Sequence, residues 1–351
     1  MNAGRLRAAV IGGGRIAELG HLPGYAAAGV EVVALYDRTP ARLDAMAGQF
    51  GISRRTTDWR VLLDDGGFDV VSICTPPALH KEMAVEALQH GVHVLVEKPM
   101  AVTPDECQAM IDAADASGTI LMIAHNQRFR GQHQVAKTML ESGRLGRIRS
   151  VHAEFAHGGP EQWSPQQTWY FDKALAGHGV LLDLGYHKLD LLCWLLGQTI
   201  TSIQAVTATF EKPTSAEDSA AALMTFSGGA LGTLQASWAH HPDVSDSLTI
   251  HGEKGTLFVP SDPAQPMRVL EQAGTGGVTE SLIRSEPSGG PGWLGAVGAF
   301  VFAVEHSLPS PVPGSQGKAI LEVVLSAYAS VHQNIVRFSS FSGVAKDTSN
   351  E

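Results

Sequence analysis

Leu6-Arg7-Ala8-Ala9-Val10-Ile11-Gly12-Gly13-Gly14-Arg15-Ile16-Ala17 is the stretch that sets the fold. A short apolar strand runs into G-x-G-x-x-A, and a helical pattern follows through about Ala28. Glycines here permit a tight turn and let backbone N–H groups approach a pyrophosphate at a helix N-terminus. Val30–Asp37 reads as the next strand and ends on an acid about 20 residues on, as a dinucleotide fingerprint requires. The pattern then repeats. Helix Pro40–Phe50, strand Asp69–Cys74, helix His80–His90, strand Val92–Glu97 and strand Thr119–Ala124 alternate. Between the last two, Thr103, Pro104 and Glu106 form a capping-box start to a helix that Gly118 closes. Strands alternating with helices imply βαβ units and a parallel sheet.

The alternation stops near residue 127. Beyond it the sequence predicts a helix over 132–143, a strand over 148–156, a polar loop over 157–173 and an apolar helix over 179–196. Period-two segments follow between about 200 and 285, with turn signals at Ser227-Gly228-Gly229 and Gly252-Glu253-Lys254-Gly255. Helices over 294–307 and 316–337 close the chain, after a Gly-, Pro- and Ser-rich stretch over 261–293. The expected fold class is α/β. A dinucleotide-binding domain (1–127) precedes an α+β domain (128–351) with a mostly antiparallel, open sheet.

The chain has 351 residues, 44% hydrophobic and 17% charged, enough for two cored domains. A net charge of −10 argues against a nucleic-acid partner. Cys74, Cys107 and Cys193 are scattered and odd in number, so neither a disulfide framework nor a zinc ribbon fits. The first strand begins too early to leave room for a signal peptide, and the most apolar helix contains Asp183, His187, Lys188 and Asp190. The expectation is a cytoplasmic protein without a membrane partner.

Three further motifs carry chemistry. Glu97-Lys98-Pro99 ends a buried strand, where open α/β sheets bind their ligands. Thr75-Pro76-Pro77 makes a rigid turn on the same sheet edge, with His80 opening the next helix; His80 either lines the cleft or caps that helix. Asp183-Leu184-Gly185-Tyr186-His187 places an acid and an imidazole at four-residue spacing on an apolar helix, where they must pair or face a cleft. Asp37 favours NAD over NADP, because it accepts from ribose hydroxyls and repels a 2′-phosphate; Arg38 beside it could hold one.

G-x-G-x-x-A, T-P-P-x-x-H, G-V-H-V-L-V-E-K-P and G-V-L-L-D-L-G-Y-H-x-x-D together resemble the glucose–fructose oxidoreductase, inositol dehydrogenase and rhizopine catabolism (Gfo/Idh/MocA) family. The likeness covers the first domain and runs to about Gly197. It implies hydride exchange between NAD(P) and a carbinol of a sugar, cyclitol or related polyol. It also implies a homodimer or homotetramer built on the open sheet, and a cis Lys98–Pro99 bond. By motif position Lys98, Asp183 and His187 become the catalytic set, and Asn126 lies beside the cleft. The cofactor set is then Gly12, Gly14, Arg15, Ile16, Asp37, Arg38, Thr75, Pro76, His80, Glu97, Lys98 and Asn126.

The chemistry of these groups agrees with that assignment. Histidine suits proton abstraction near neutrality, so His187 is read as the base. Asp183 is expected to orient or stabilise its ring, and Lys98 to stabilise an alkoxide. The loop carrying Trp163, Trp169, Tyr170 and Asp172 is the candidate for sugar specificity, set against ordinary anchoring by buried aromatics. His178 replaces a glycine common in the family, and either changes substrate fit or faces solvent. His240-His241 lacks a third ligand for a metal site. Two other classes stay open: an NAD-dependent glycosidase of the same fold, and a non-catalytic NAD-sensing regulator.

Overall fold

In the computed structural model, which describes residues 5–165, 168–242, 244–274, 276–285 and 292–331, the alternating first part forms a six-stranded sheet. Its strands are β1 (Arg7–Ile11), β2 (Glu31–Tyr36), β3 (Arg54–Thr56), β4 (Val70–Ile73), β5 (His93–Val96) and β6 (Leu121–Ile123). They lie in the order β3-β2-β1-β4-β5-β6, and every pairing is parallel. Helices cover both faces, so the central strands are mostly apolar, and β1 is buried throughout from Ala8 to Ile11.

The covering helices are α1 (Leu22–Ala27), α2 (Pro40–Phe50), α3 (Trp59–Asp65), α4 (His80–Gln89) and α5 (Pro104–Ser117). The capping box of α5 forms as expected: Glu106 N–H donates to Thr103 Oγ1 at 3.2 Å, and Glu106 Oε2 accepts from Thr103 N–H at 3.1 Å. Such a cap is worth about 1 kcal/mol. Two elements go beyond the sequence reading. β3 is a three-residue edge strand without alternation, and α3 is a short helix capped by Asp58. The first helix is also irregular, because Ala17–His21 forms a π turn ahead of α1.

The second part opens with α6 (Gly131–Glu141) and β7 (Ile148–Ala156). The loop after β7 holds α7 (Lys173–Ala176). The apolar helix divides into a π turn, Leu181–Gly185, and α8 (Tyr186–Leu196). Then come β8 (Ile200–Ala208), β9 (Ser219–Phe226), β10 (Leu231–Ser237), β11 (Leu248–Gly252), β12 (Gly255–Val259), β13 (Met267–Gln272) and β14 (Val278–Ile283). With β7 they form an eight-stranded sheet, order β14-β13-β12-β11-β7-β10-β9-β8, antiparallel except between β7 and β10. Both expected turns join antiparallel neighbours, β9–β10 and β11–β12.

Two helices, α9 (Trp293–Glu305) and α10 (Gly314–Ser330), return to the first sheet. α9 packs on α1 and α10 on α5, and Ile123 N–H donates to Val312 O at 3.0 Å. These two helices therefore join the layer formed by the first part of the chain. The expected continuation of the last helix to 337 lies outside the described residues beyond 331. Among the described residues no helix is long and apolar enough to cross a membrane.

Candidate active site

A single cleft of about 540 Å³ runs from the glycine turn to the start of α8. Gly12 begins it in a left-handed conformation, φ +104°, and a Cβ there would lie 2.7 Å from Cys74 O, so only glycine fits. Gly12 and Gly14 border the cleft with backbone alone, at the entry to the first helix. This arrangement fits a pyrophosphate approached by main-chain N–H groups.

Asp37 sits at the carboxyl end of β2 and lines the same end of the cleft. Its Oδ2 accepts from Gly13 N–H at 2.9 Å and its Oδ1 from Thr39 N–H at 2.7 Å. These bonds fix the acid against the turn. Arg42, which the sequence reading missed, approaches Oδ2 at 3.4 Å, and Arg38 also borders the cleft. Ile16, Thr75, Pro76, Glu97 and Asn126 line it as expected.

Two expected cofactor residues lie elsewhere. The Arg15 side chain turns outward and pairs with Glu18 at 2.8 Å, because it projects from the exposed face of the first helical turn. His80 is wholly buried behind the cleft wall. Its ring nitrogens lie 2.7 Å from Thr75 O and 3.0 Å from Pro99 O, so it ties the Thr75–Pro76 turn to the Lys98–Pro99 segment.

Lys98 stands at the middle of the cleft, after β5, and the Lys98–Pro99 bond is cis. Its Nζ donates to Asp183 Oδ1 at 2.6 Å. Trp238 Nε1–H donates to the other oxygen, Oδ2, at 3.1 Å. Both oxygens of Asp183 are thus committed, and no bond joins Asp183 to His187. The expectation that Asp183 orients the histidine ring is corrected on two physical grounds. Asp183 lies in a π turn, which changes the angular offset between residues four apart, and Lys98 offers a full positive charge at shorter range. Nothing in the sequence linked position 238 to position 183, since their contact is made only by the folding of β10 over the π turn.

His187 opens onto the same cleft from the first turn of α8. Its Nδ1 is buried and has no hydrogen-bond partner among the described residues. Burial first, then the Lys98 charge, holds the ring well below the usual imidazole pKa, so it is neutral at pH 7. Behind it, buried ion pairs anchor α8. Lys188 pairs with Asp246, which also takes Arg130, and Asp190 Oδ2 accepts from Arg128 Nε at 2.8 Å. Removing one partner of such a pair costs about 3–5 kcal/mol, so the helix carrying the base is held firmly.

The far end of the cleft is aromatic. Trp163, Trp169 and Tyr170 all line it; Trp169 stacks on Tyr170 at 3.8 Å between centroids, and Trp163 meets Tyr170 edge-on at 6.2 Å. His178 is half-buried, borders the cleft and stacks on Tyr328 at 4.1 Å. His157, named in the sequence only as a loop boundary, also lines it; burial lowers its pKa, and its Nδ1 accepts from Gly159 N–H at 3.0 Å. His241 lies apart from this group, 3.0 Å from Glu211.

Known proteins share this architecture. Residues 6–125 match the profile of the oxidoreductase family with an NAD-binding Rossmann fold, and residues 133–258 match the GFO/IDH/MocA C-terminal domain. D-apiose dehydrogenase of Rhizobium rhizogenes is 31% identical over 80% of this chain and 79% of its own length. Levoglucosan dehydrogenase of Pseudarthrobacter phenanthrenivorans is 30% identical, over 60% of each chain. The crystal structure of an oxidoreductase domain protein from Kribbella flavida superposes with a TM-score of 0.85 at 26% identity, covering 93% of this chain and 97% of that one. With both halves matched in order around one cleft, the chain belongs to the Gfo/Idh/MocA family of NAD-binding oxidoreductases.

Proposed function

We propose that this protein exchanges hydride between NAD and a carbinol of a sugar, cyclitol or related polyol. The observation that carries the reading is the continuity of one cleft, from the glycine turn and Asp37 to Lys98, Asp183 and His187. The aromatic far wall suits the faces of a pyranose ring, and relatives named for sugar substrates support the same class.

Gly12, Gly14 and Asp37 would hold the dinucleotide, and Asp37 would favour NAD by accepting from ribose hydroxyls. A bound nicotinamide supplies the acceptor for hydride. The protein's own groups handle the proton. His187 is neutral, the form that alcohol oxidation requires, and takes the hydroxyl proton. Lys98 stabilises the negative charge that develops on the substrate oxygen, acting from a largely buried side chain. Asp183, itself held by the Trp238 indole N–H, aims the Lys98 ammonium.

Residues 1–127 serve the cofactor and 128–351 shape the sugar end and the oligomer. The open face of the second sheet exposes Val206, Leu223 and Leu231, a surface suited to self-association. The decisive variant is His187→Ala. Turnover should fall by at least about 100-fold while NADH affinity stays within about threefold. Wild-type turnover in that variant would remove His187 from the mechanism.

A further inference from the structure

Two π turns converge on Lys98. One carries Asp183, the partner of the lysine ammonium. The other ends on His21, an enclosed histidine that the mechanism above does not use. π turns mark functional positions more often than chance, which makes His21 worth tracing.

His21 Nε2 lies 3.0 Å from Glu97 Oε1, and His21 Nδ1 lies 2.8 Å from Ser72 Oγ. Tyr25 OH is 2.9 Å from the same Ser72 oxygen. Glu97 Oε2 accepts from Lys98 N–H at 3.1 Å. Burial raises the Tyr25 pKa well above its usual value, so the phenol keeps its proton and can donate. One direction of donation then satisfies every member. Tyr25 O–H donates to Ser72, Ser72 O–H to His21 Nδ1, and His21 Nε2–H to the Glu97 carboxylate. The chain ends on a buried phenol, so it gives no proton path to solvent; its use is mechanical.

We infer that His21 is a positioning residue: by fixing the Glu97 carboxylate, it sets the Lys98 backbone from which the ammonium reaches the reacting oxygen. The inference rests on the role of Lys98 proposed above and extends it one layer inward.

The test compares His21→Leu, which cannot donate, with His21→Gln, which keeps an N–H near Nε2. His21→Leu should lower kcat by at least about tenfold, with KM for the carbinol and Kd for NADH within about threefold. His21→Gln should return kcat to within about threefold of wild type. In a Lys98→Met background, His21→Leu should cost less than about twofold, because the group it positions is gone. A purely structural histidine would not show that dependence. Wild-type kcat in His21→Leu, or losses that multiply with Lys98→Met, would overturn the inference. A wild-type enzyme that oxidises no carbinol would refute the proposed reaction instead. The place of the Lys98 side chain in crystals of His21→Leu then decides the His21 assignment: an ammonium displaced from Asp183 supports it, and an unmoved lysine overturns it.

Discussion

Replacing Lys98 with methionine shortens the unbranched side chain by one atom and removes its charge. In the native site Nζ donates to Asp183 Oδ1 at 2.6 Å, with the two side chains only 14% and 17% exposed. A donor so placed, aimed at developing charge, is worth about 100- to 1,000-fold in kcat, or about 2.7–4 kcal/mol. Asp183 keeps its bond from Trp238, so the cost to folding is about 1–3 kcal/mol. A second signature follows from His187. After burial, the Lys98 charge is the largest cause holding its pKa down. Removing that charge raises the histidine pKa toward its ordinary value, and kcat/KM reports the free enzyme's base. The acid limb of the pH profile should therefore move to higher pH in the variant, while in the native enzyme it lies well below pH 6.5. Initial rates of NADH formation across a pH series measure both effects. Unchanged kcat/KM would refute the role of Lys98, and a large loss with an unmoved acid limb would refute its coupling to His187.

Asp37→Ala should weaken NADH more than NADPH in fluorescence titrations, since it removes the ribose acceptor and the repulsion of a 2′-phosphate together; equal losses would count against that role. Gly12→Ala forces a side chain into φ +104° and to within 2.7 Å of Cys74 O, so melting temperature should drop and NADH affinity fall by at least about tenfold. His125 is lowered to about 4, by burial above all, from an ordinary 6.5. Below pH 6.5 the unfolded chain binds the proton that the folded chain refuses, so stability is complete above that pH and is lost as pH falls toward 4, by roughly 3 kcal/mol from this group. Urea unfolding of His125→Phe should show a shallower decline over that range than the native chain, and an identical slope would exclude the group.

The parallel sheet was legible because its signals are local. A buried strand, a glycine turn and a capping box each occupy a few consecutive residues, and Thr103 with Glu106 forms the expected bonds. The eight-stranded order was not legible, since period-two alternation says that strands exist and not which ones pair; β7 lies beside β10 and β11, far along the chain. The site divides in the same way. Lys98, Asp183 and His187 lie in recognisable motifs and do line one cleft. Their connections escaped the reading because both π turns add a residue to the helical repeat without any marker in composition. The same shift hid His21, and it sent Asp183 to Lys98 and Trp238 rather than to His187. His80 shows the opposite error: a polar residue beside a cleft motif that folds inward to brace the wall.

The most direct measurement follows NADH formation by the purified protein and NAD across inositols, aldoses, amino sugars and glycosides. The account predicts turnover on at least one carbinol, lost by at least about 100-fold in His187→Ala with NADH still bound. Bound NAD with no turnover anywhere on the panel would contradict it, and hydrolysis of a glycoside without net NADH would assign the same cleft to transient oxidation within a glycosidase.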